Sequence, residues 1–257
     1  AQAFNDKEYA DAAIKSYSFI EKYLTGKDGR LIHRFRDGES GLQAHIDDYA
    51  FMINALIDLY ETTFEIKFLK RAIELNEILM KEFWDEQNGG FYFTSSKSEE
   101  LIARQKDVYD GAVPSGNSVA LLNLIRLSRF TANIYFEKKA SLLVKYFSGY
   151  ISKSPSVFCM FMCGLDFLFS SSTEIVIVSK KKDDEAIQGI NLIRNIFNPN
   201  KIVILKSSDN QYESGELLSF TKDMKTKDNS TTFYVCRDYS CNQPVNSIKE
   251  LQKLLLL

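Results

Sequence analysis

One helix-forming pattern occurs three times in this chain, and it constrains the fold more than any other feature. The stretch Glu8-Tyr9-Ala10-Asp11-Ala12-Ala13 aligns with Lys67-Phe68-Leu69-Lys70-Arg71-Ala72 and with Tyr135-Phe136-Glu137-Lys138-Lys139-Ala140, a spacing of roughly 60 residues that marks an internal repeat. Within the copies, apolar residues return every three or four positions, as in Tyr9, Ala13, Ile14, Tyr17, Ile20 and Leu24, or Phe68, Ala72, Ile73, Leu75, Ile78 and Leu79. That period belongs to amphipathic helices. The first copy runs on into Gly29-Arg30-Leu31-Ile32-His33-Arg34-Phe35 and the second into Gly89-Gly90-Phe91-Tyr92-Phe93, short glycine-opened excursions of β-like character. After each excursion comes a more uniformly apolar, and so more deeply buried, helix, predicted over 47–62, 115–131 and about 157–169. One outer and one inner helix per copy describes stacked αα-hairpins, arranged as a toroid or solenoid.

After Ser170 the texture changes. Glu174-Ile175-Val176-Ile177-Val178, a charged helix over about 183–197 and Lys201-Ile202-Val203-Ile204-Leu205 read as a βαβ unit. A third β-rich run over 231–236 and a closing helix over 247–257 complete a small, mostly parallel, three-stranded sheet with helices packed on it. The polar stretch 207–229 reads as loop. Two units follow from this pattern: a helical-hairpin segment over 1–170 and a small α/β domain over 171–257.

Bulk properties narrow the function. With 257 residues, 45% of them apolar, there is ample material for a large core. Lys and Arg number 32 against 34 Asp and Glu, which gives no electrostatic basis for nucleic acid or an anionic membrane as partner. The opening Ala1-Gln2-Ala3-Phe4-Asn5-Asp6 carries no signal-peptide pattern, and the strongest apolar run, 157–169, is too short to span a bilayer. Four cysteines in a chain of this size suggest a reducing, cytoplasmic setting. Cys159 and Cys163, one helical turn apart in the apolar run, read as core side chains on one buried face. Cys236 and Cys241 fit neither a C-x-x-C motif nor a complete zinc set, so a structural or incidental role is expected, with no metal. Neither a glycine-rich phosphate loop nor a metal-binding helix motif occurs, no cofactor is expected, and Lys180-Lys181-Lys182 reads as a solvated turn.

Three strings, Arg34-Phe35-Arg36-Asp37-Gly38, Asp47-Asp48-Tyr49-Ala50-Phe51 and Asp107 through Ser118 (DVYDGAVPSGNS), resemble the spermatogenesis-associated, thioredoxin-like protein family of bacteria and animals. Tyr234-Val235-Cys236, Cys241 and Pro244-Val245 are similar to that family's C-terminal signature, so the resemblance covers essentially the whole chain. It implies a thioredoxin-like domain joined to a six-hairpin toroid of the kind found in N-acylglucosamine 2-epimerase and six-hairpin glycosidases. This chain carries three of the six hairpins, half of an (α/α)6-type toroid, and lacks the thioredoxin-like segment. The resemblance therefore implies missing upstream hairpins and a thioredoxin-like domain in the same polypeptide, and an exposed hairpin flank that drives self-association when left uncovered.

The loops that precede inner helices are the place to look for chemistry, because the orphan N–H groups at helix N-termini bind polar ligands. Asp47, Asp48 and Ser115 suit helix capping, and Pro114 through Asn117 suits turn-making. The alternative reading is functional. Asp48 and Asp110 supply two carboxylates facing one cavity, as sugar chemistry requires; Tyr49 and Tyr109 stack on a sugar ring; Arg34, Arg36, Arg104, Ser115 and Asn117 hydrogen-bond its hydroxyls or an acidic group. Histidines serve as acid and base in the epimerases that the resemblance implies. Only His33 and His45 are present, and His45, two residues before Asp47, is the one in the right region, although a partly exposed loop histidine explains it as well. Two function classes remain: a sugar-processing domain of the epimerase or glycosidase type, present here as a fragment that need not be active alone, and a non-enzymatic scaffold that positions a thioredoxin-like domain.

Overall fold

A computed structural model describes residues 1–99, 102–180, 183–207, 217–237 and 240–256. Lys181, Lys182 and residues 208–216 of the expected polar loop lie outside the described residues. The molecule is mostly helical with a small mixed sheet, and eight α-helices are found among the described residues.

Helix α1 (Lys7–Tyr23) is capped by Asp6, whose side chain accepts from Glu8 N–H. Strands β1 (Ile32–Arg36) and β2 (Glu39–Gln43) form an antiparallel hairpin. Its two-residue turn is Asp37-Gly38 with φ of +53° and +85°, the type I′ geometry for which Asp-Gly is suited. Helices α2 (Ile46–Thr63) and α3 (Ile66–Phe83) follow, then α4 (Gly116–Thr131), α5 (Ile134–Ile151) and α6 (Cys159–Phe169). In the second copy the excursion after α3 makes a single bridge, Trp84 to Phe91, in place of a hairpin.

The deeper burial expected of each copy's second helix is found for α2 against α1 and for α4 against α3 but not for α6, which buries three of its 11 residues where α5 buries six of 18. Every residue of α4 from Gly116 to Phe130 except Leu122 is buried, whereas Ala10 is the one buried residue of α1. Helix α2 packs on α3 and α4, and α4 packs on α5 and α6. In α6 the buried stripe is Phe161, Gly164 and Phe167. Cys159 and Cys163 are exposed, which corrects the expectation of core cysteines: a run apolar all round does not reveal which stripe faces inward.

The sheet comprises β3 (Thr173–Ser179), β4 (Lys201–Ser207), β5 (Thr232–Arg237) and the two-residue β6 (Ser240–Cys241), with α7 (Asp184–Asn195) and α8 (Ile248–Leu255). Strand order is β4-β3-β5-β6. β3 and β4 run parallel through the α7 crossover, in register from Thr173↔Lys201 to Ser179↔Ser207. β5 is antiparallel to β3, with Ile175 opposite Val235. The sheet is therefore mixed and four-stranded, because an apolar run specifies a strand but not its direction. Cys236 and Cys241 face each other across the β5–β6 hairpin and are joined as a disulfide. Gly189 of α7 lies against the Phe233 ring, where a Cβ would sit 2.3 Å from the nearest ring carbon.

The sheet and the helices share one continuous apolar core. Glu61, near the end of α2, accepts from Val203 N–H at 2.9 Å and from Arg126 at 2.7 Å. Arg126 also reaches Asp58 at 2.7 Å, and Arg194 of α7 donates to the carbonyls of Glu61 and Thr62. Removing one partner of such a buried pair leaves an uncompensated charge at a cost of about 3–5 kcal/mol, so this network fixes β4 and α7 against α2 and α4.

Candidate functional site

The β1–β2 hairpin and the N-terminus of α2 bring together three polar groups, His33 from the strand and His45 and Asp48 from the helix start. His33 projects from β1 toward Asp48, its Nδ1 lying 2.9 and 3.1 Å from the two carboxylate oxygens. Asp48 is held from behind by the N-cap residue of α2, accepting from His45 N–H at 2.7 Å, an arrangement favoured by the positive end of the helix. The His45 ring stacks on Phe93 at 4.6 Å and stands edge-on to the His33 ring at 5.0 Å. One ligand-type atom from each of His33, His45 and Asp48 lies within 4.8 Å of the others. All three side chains retain solvent access, at 44%, 32% and 26%.

Asp47 sits beside this cluster. Burial raises its carboxyl above the usual range, opposed by a hydrogen bond from Gly116 N–H and reinforced by the charges of Asp48 and Asp107. A Cβ on residue 116 would lie 2.5 Å from Asp47 Oδ1, so only glycine lets α4 begin this close to α2.

Two members of the cluster, His33 and Asp48, line a groove of about 680 Å³ between α1 and α2; His45 does not. Tyr9, Tyr17, Ile20, Phe51 and Leu59 line its length, and His33, Asp47 and Asp48 provide its polar head. Tyr9 is 57% exposed and Phe51 37%.

Most of the other sequence-nominated residues lie elsewhere, and the expectation of one shared concavity is corrected. Tyr49 is 2% exposed; its hydroxyl accepts from Leu31 N–H at 3.1 Å, its ring packs on Phe83, and it borders a different cleft, beside Gln43 and Glu82, from the one that Asp48 lines. Asn117 is 1% exposed and fully engaged: Oδ1 accepts from Phe91 N–H at 2.8 Å, and Nδ2 donates to the carbonyls of Phe91 and Asp107 at 2.9 and 2.8 Å. Ser115 is the buried cap of α4. Asp110 accepts from Ser115 N–H at 2.9 Å and Phe161 N–H at 3.0 Å, tying the loop to the starts of α4 and α6 instead of facing Asp48 across a cavity. Arg104 donates to the carbonyls of Thr94 and Glu82 and lies over the Tyr92 ring at 4.2 Å. Arg34 and Arg36 are exposed on β1, the latter against Asp37 at 3.1 Å. Tyr109, 58% exposed, opens onto a separate cleft of about 260 Å³ with Lys106, Asp107, Tyr146 and Tyr150.

Of the three residues in this cluster, the sequence nominated Asp48 and His45 as site residues and not His33. The signal was present: alternation along β1 places residue 33 on the face opposite Arg34, and the Asp-Gly turn fixes the hairpin that carries it.

These features define a helical-hairpin protein with a small mixed sheet and an imidazole–carboxylate cluster at the head of an inner helix. The chain is homologous to human spermatogenesis-associated protein 20, 30% identical over 253 residues that make up 95% of this chain and 32% of that protein. The rat protein of the same name is 32% identical over 213 residues, 82% of this chain and 27% of its own length. An uncharacterized protein of Caenorhabditis elegans is 30% identical over 262 residues, 98% of this chain and 35% of its own. The chain thus spans about a third of the length of the curated relatives it matches. No family model matches. Among solved structures, the cellobiose 2-epimerase of Bacillus thermoamylovorans superposes with a TM-score of 0.47 at 17% identity, over 56% of this chain and 39% of that one. The cellobiose 2-epimerase of Spirochaeta thermophila gives 0.47 at 18%, over 58% and 39%. Among the described residues no helix is long and apolar enough to cross a membrane.

Proposed function

We propose that this chain is part of a carbohydrate-processing protein whose sugar ligand occupies the groove between α1 and α2, with its reacting end at His33, His45 and Asp48. The observation that carries the reading is the His33–Asp48 contact, 2.9 Å long, at the polar head of an aromatic-lined groove. An imidazole that donates Nδ1–H to a carboxylate is fixed in orientation and keeps Nε2 as an acceptor aimed elsewhere. A second imidazole stands 5.0 Å from the first, and two proton-carrying groups near one carbon are what removing and returning a proton there requires. Tyr9, Tyr17 and Phe51 offer ring faces to the apolar side of a pyranose. On the same reading the hairpins form half of an (α/α)6-type toroid, and further hairpins of a longer polypeptide cover the open side of the groove.

The test is a thermal-shift screen with mono- and disaccharides, including sugar acids and N-acetylated sugars, on the chain and on the longest form of the polypeptide that carries it. A ligand present at 100 times its Kd raises the stability of the folded state by about 2.7 kcal/mol. The expected result is a shift with at least one sugar that is lost in His33→Ala and Asp48→Asn. Absence of any shift from both proteins refutes the sugar reading and leaves the scaffold role as the better account.

A further inference from the structure

We infer that His33, His45 and Asp48 form a binding site for a divalent transition-metal ion, zinc being the best match. This goes beyond the sugar reading and stands without it. The donor set is two imidazoles and one carboxylate, borderline donors that favour Zn²⁺, Co²⁺ or Ni²⁺ over Mg²⁺ or Ca²⁺, which take oxygen ligands. One donor atom from each residue already lies within 4.8 Å of the other two. Bonds of about 2.0–2.1 Å to a tetrahedral ion bring donors to about 3.4 Å from one another. Closing that gap takes movements of about an ångström in side chains that keep solvent access.

The surroundings suit an ion. Asp48 is oriented by His45 N–H at 2.7 Å, and the His45 ring is braced on Phe93 at 4.6 Å, the kind of support that sets ligand direction around metals. Asp47 adds negative charge beside the site without being needed as a ligand. Three protein ligands leave a fourth tetrahedral position for water or an exchangeable ligand. Because the ion takes up imidazole lone pairs, a loaded site cannot also use those nitrogens to move protons, so metal and proton transfer exclude each other at this cluster.

The experiment is calorimetric titration of the untagged, chelator-stripped full chain with ZnCl2, paired with Co²⁺ titration followed by visible absorption, which reports a tetrahedral site directly. The expected result is one ion per chain, with affinity falling at least 10-fold in His33→Ala and in His45→Ala while circular dichroism shows both variants folded. The exposed thiols Cys159 and Cys163 are the competing zinc ligands, so a Cys159→Ser, Cys163→Ser double variant is run alongside and is expected to keep full stoichiometry. Absence of binding, binding that survives both histidine substitutions, or binding lost in the cysteine variant each overturns the assignment. None of these outcomes depends on whether a sugar binds, and a sugar screen run on the chelator-stripped protein reads the sugar proposal separately.

Discussion

Replacing Asn117 by alanine separates the two roles that sequence alone left open for this residue. Its side chain makes three hydrogen bonds of 2.8 to 2.9 Å, one accepted from Phe91 N–H and two donated to the carbonyls of Phe91 and Asp107. Phe91 is fully buried and Asn117 nearly so, so water does not readily replace what is removed. An unsatisfied buried N–H costs about 1–3 kcal/mol, and each lost bond to a carbonyl about 0.5–1.5 kcal/mol. Alanine returns roughly 0.6 kcal/mol through its better helix propensity in the first turn of α4. The net expectation is a loss of about 2–4 kcal/mol. In urea denaturation this appears as a fall in midpoint of about 1 M, for a slope near 3 kcal/mol/M, with the slope unchanged. A loss below about 0.5 kcal/mol, combined with weakened ligand binding, would refute the structural role and return Asn117 to the site.

Two further outcomes test the packing and the charges. Gly189→Ala places a methyl group 2.3 Å from the Phe233 ring; overpacking toward about 3 kcal/mol outweighs the ~1 kcal/mol gain in helix propensity, so thermal denaturation should show a melting temperature lower by several degrees, and an unchanged or higher value contradicts the packing. Burial pushes the Asp85 carboxyl up, but hydrogen bonds from Lys106, Asn88 and the N–H groups of Gln87 and Asn88 outweigh it and hold the group well below the usual carboxylate range. With the folded value depressed, the stability that Asp85 contributes is fully present above an unfolded value of about 3.9 and is lost as pH falls below it; urea midpoints measured from pH 7 to pH 2 should therefore flatten at the acid end in Asp85→Asn, and an unaltered profile counts against that balance.

What the sequence made legible follows from period and spacing. The outer helices, the inner helices and the β3-α7-β4 unit each announce themselves through apolar residues repeating every 3.6 or every two positions, because burial of one face is a local demand that the chain must meet locally. Direction and depth are not local demands. β5 runs antiparallel to β3 although its residues would serve either way, and the all-apolar α6 turns Cys159 and Cys163 outward because its position against α4, not its own pattern, selects the buried stripe. The candidate site divides along the same line. Asp, Ser and Asn in loops before helices are attractive as ligand groups for the reason that makes them good caps and clamps: short polar side chains reach backbone N–H groups. Ser115, Asn117 and Asp110 spend their polar atoms on backbone groups of Ser118, Phe91, Asp107, Ser115 and Phe161, and a group so engaged is not free to bind anything else. Asp48 differs, since after accepting from His45 N–H its carboxylate still meets an imidazole from another element. What singles out His33, His45 and Asp48 is therefore not polarity, which the loops share, but convergence: side chains from β1 and from the head of α2 bring donor atoms within 4.8 Å of one another, with solvent access that the clamped loop residues lack.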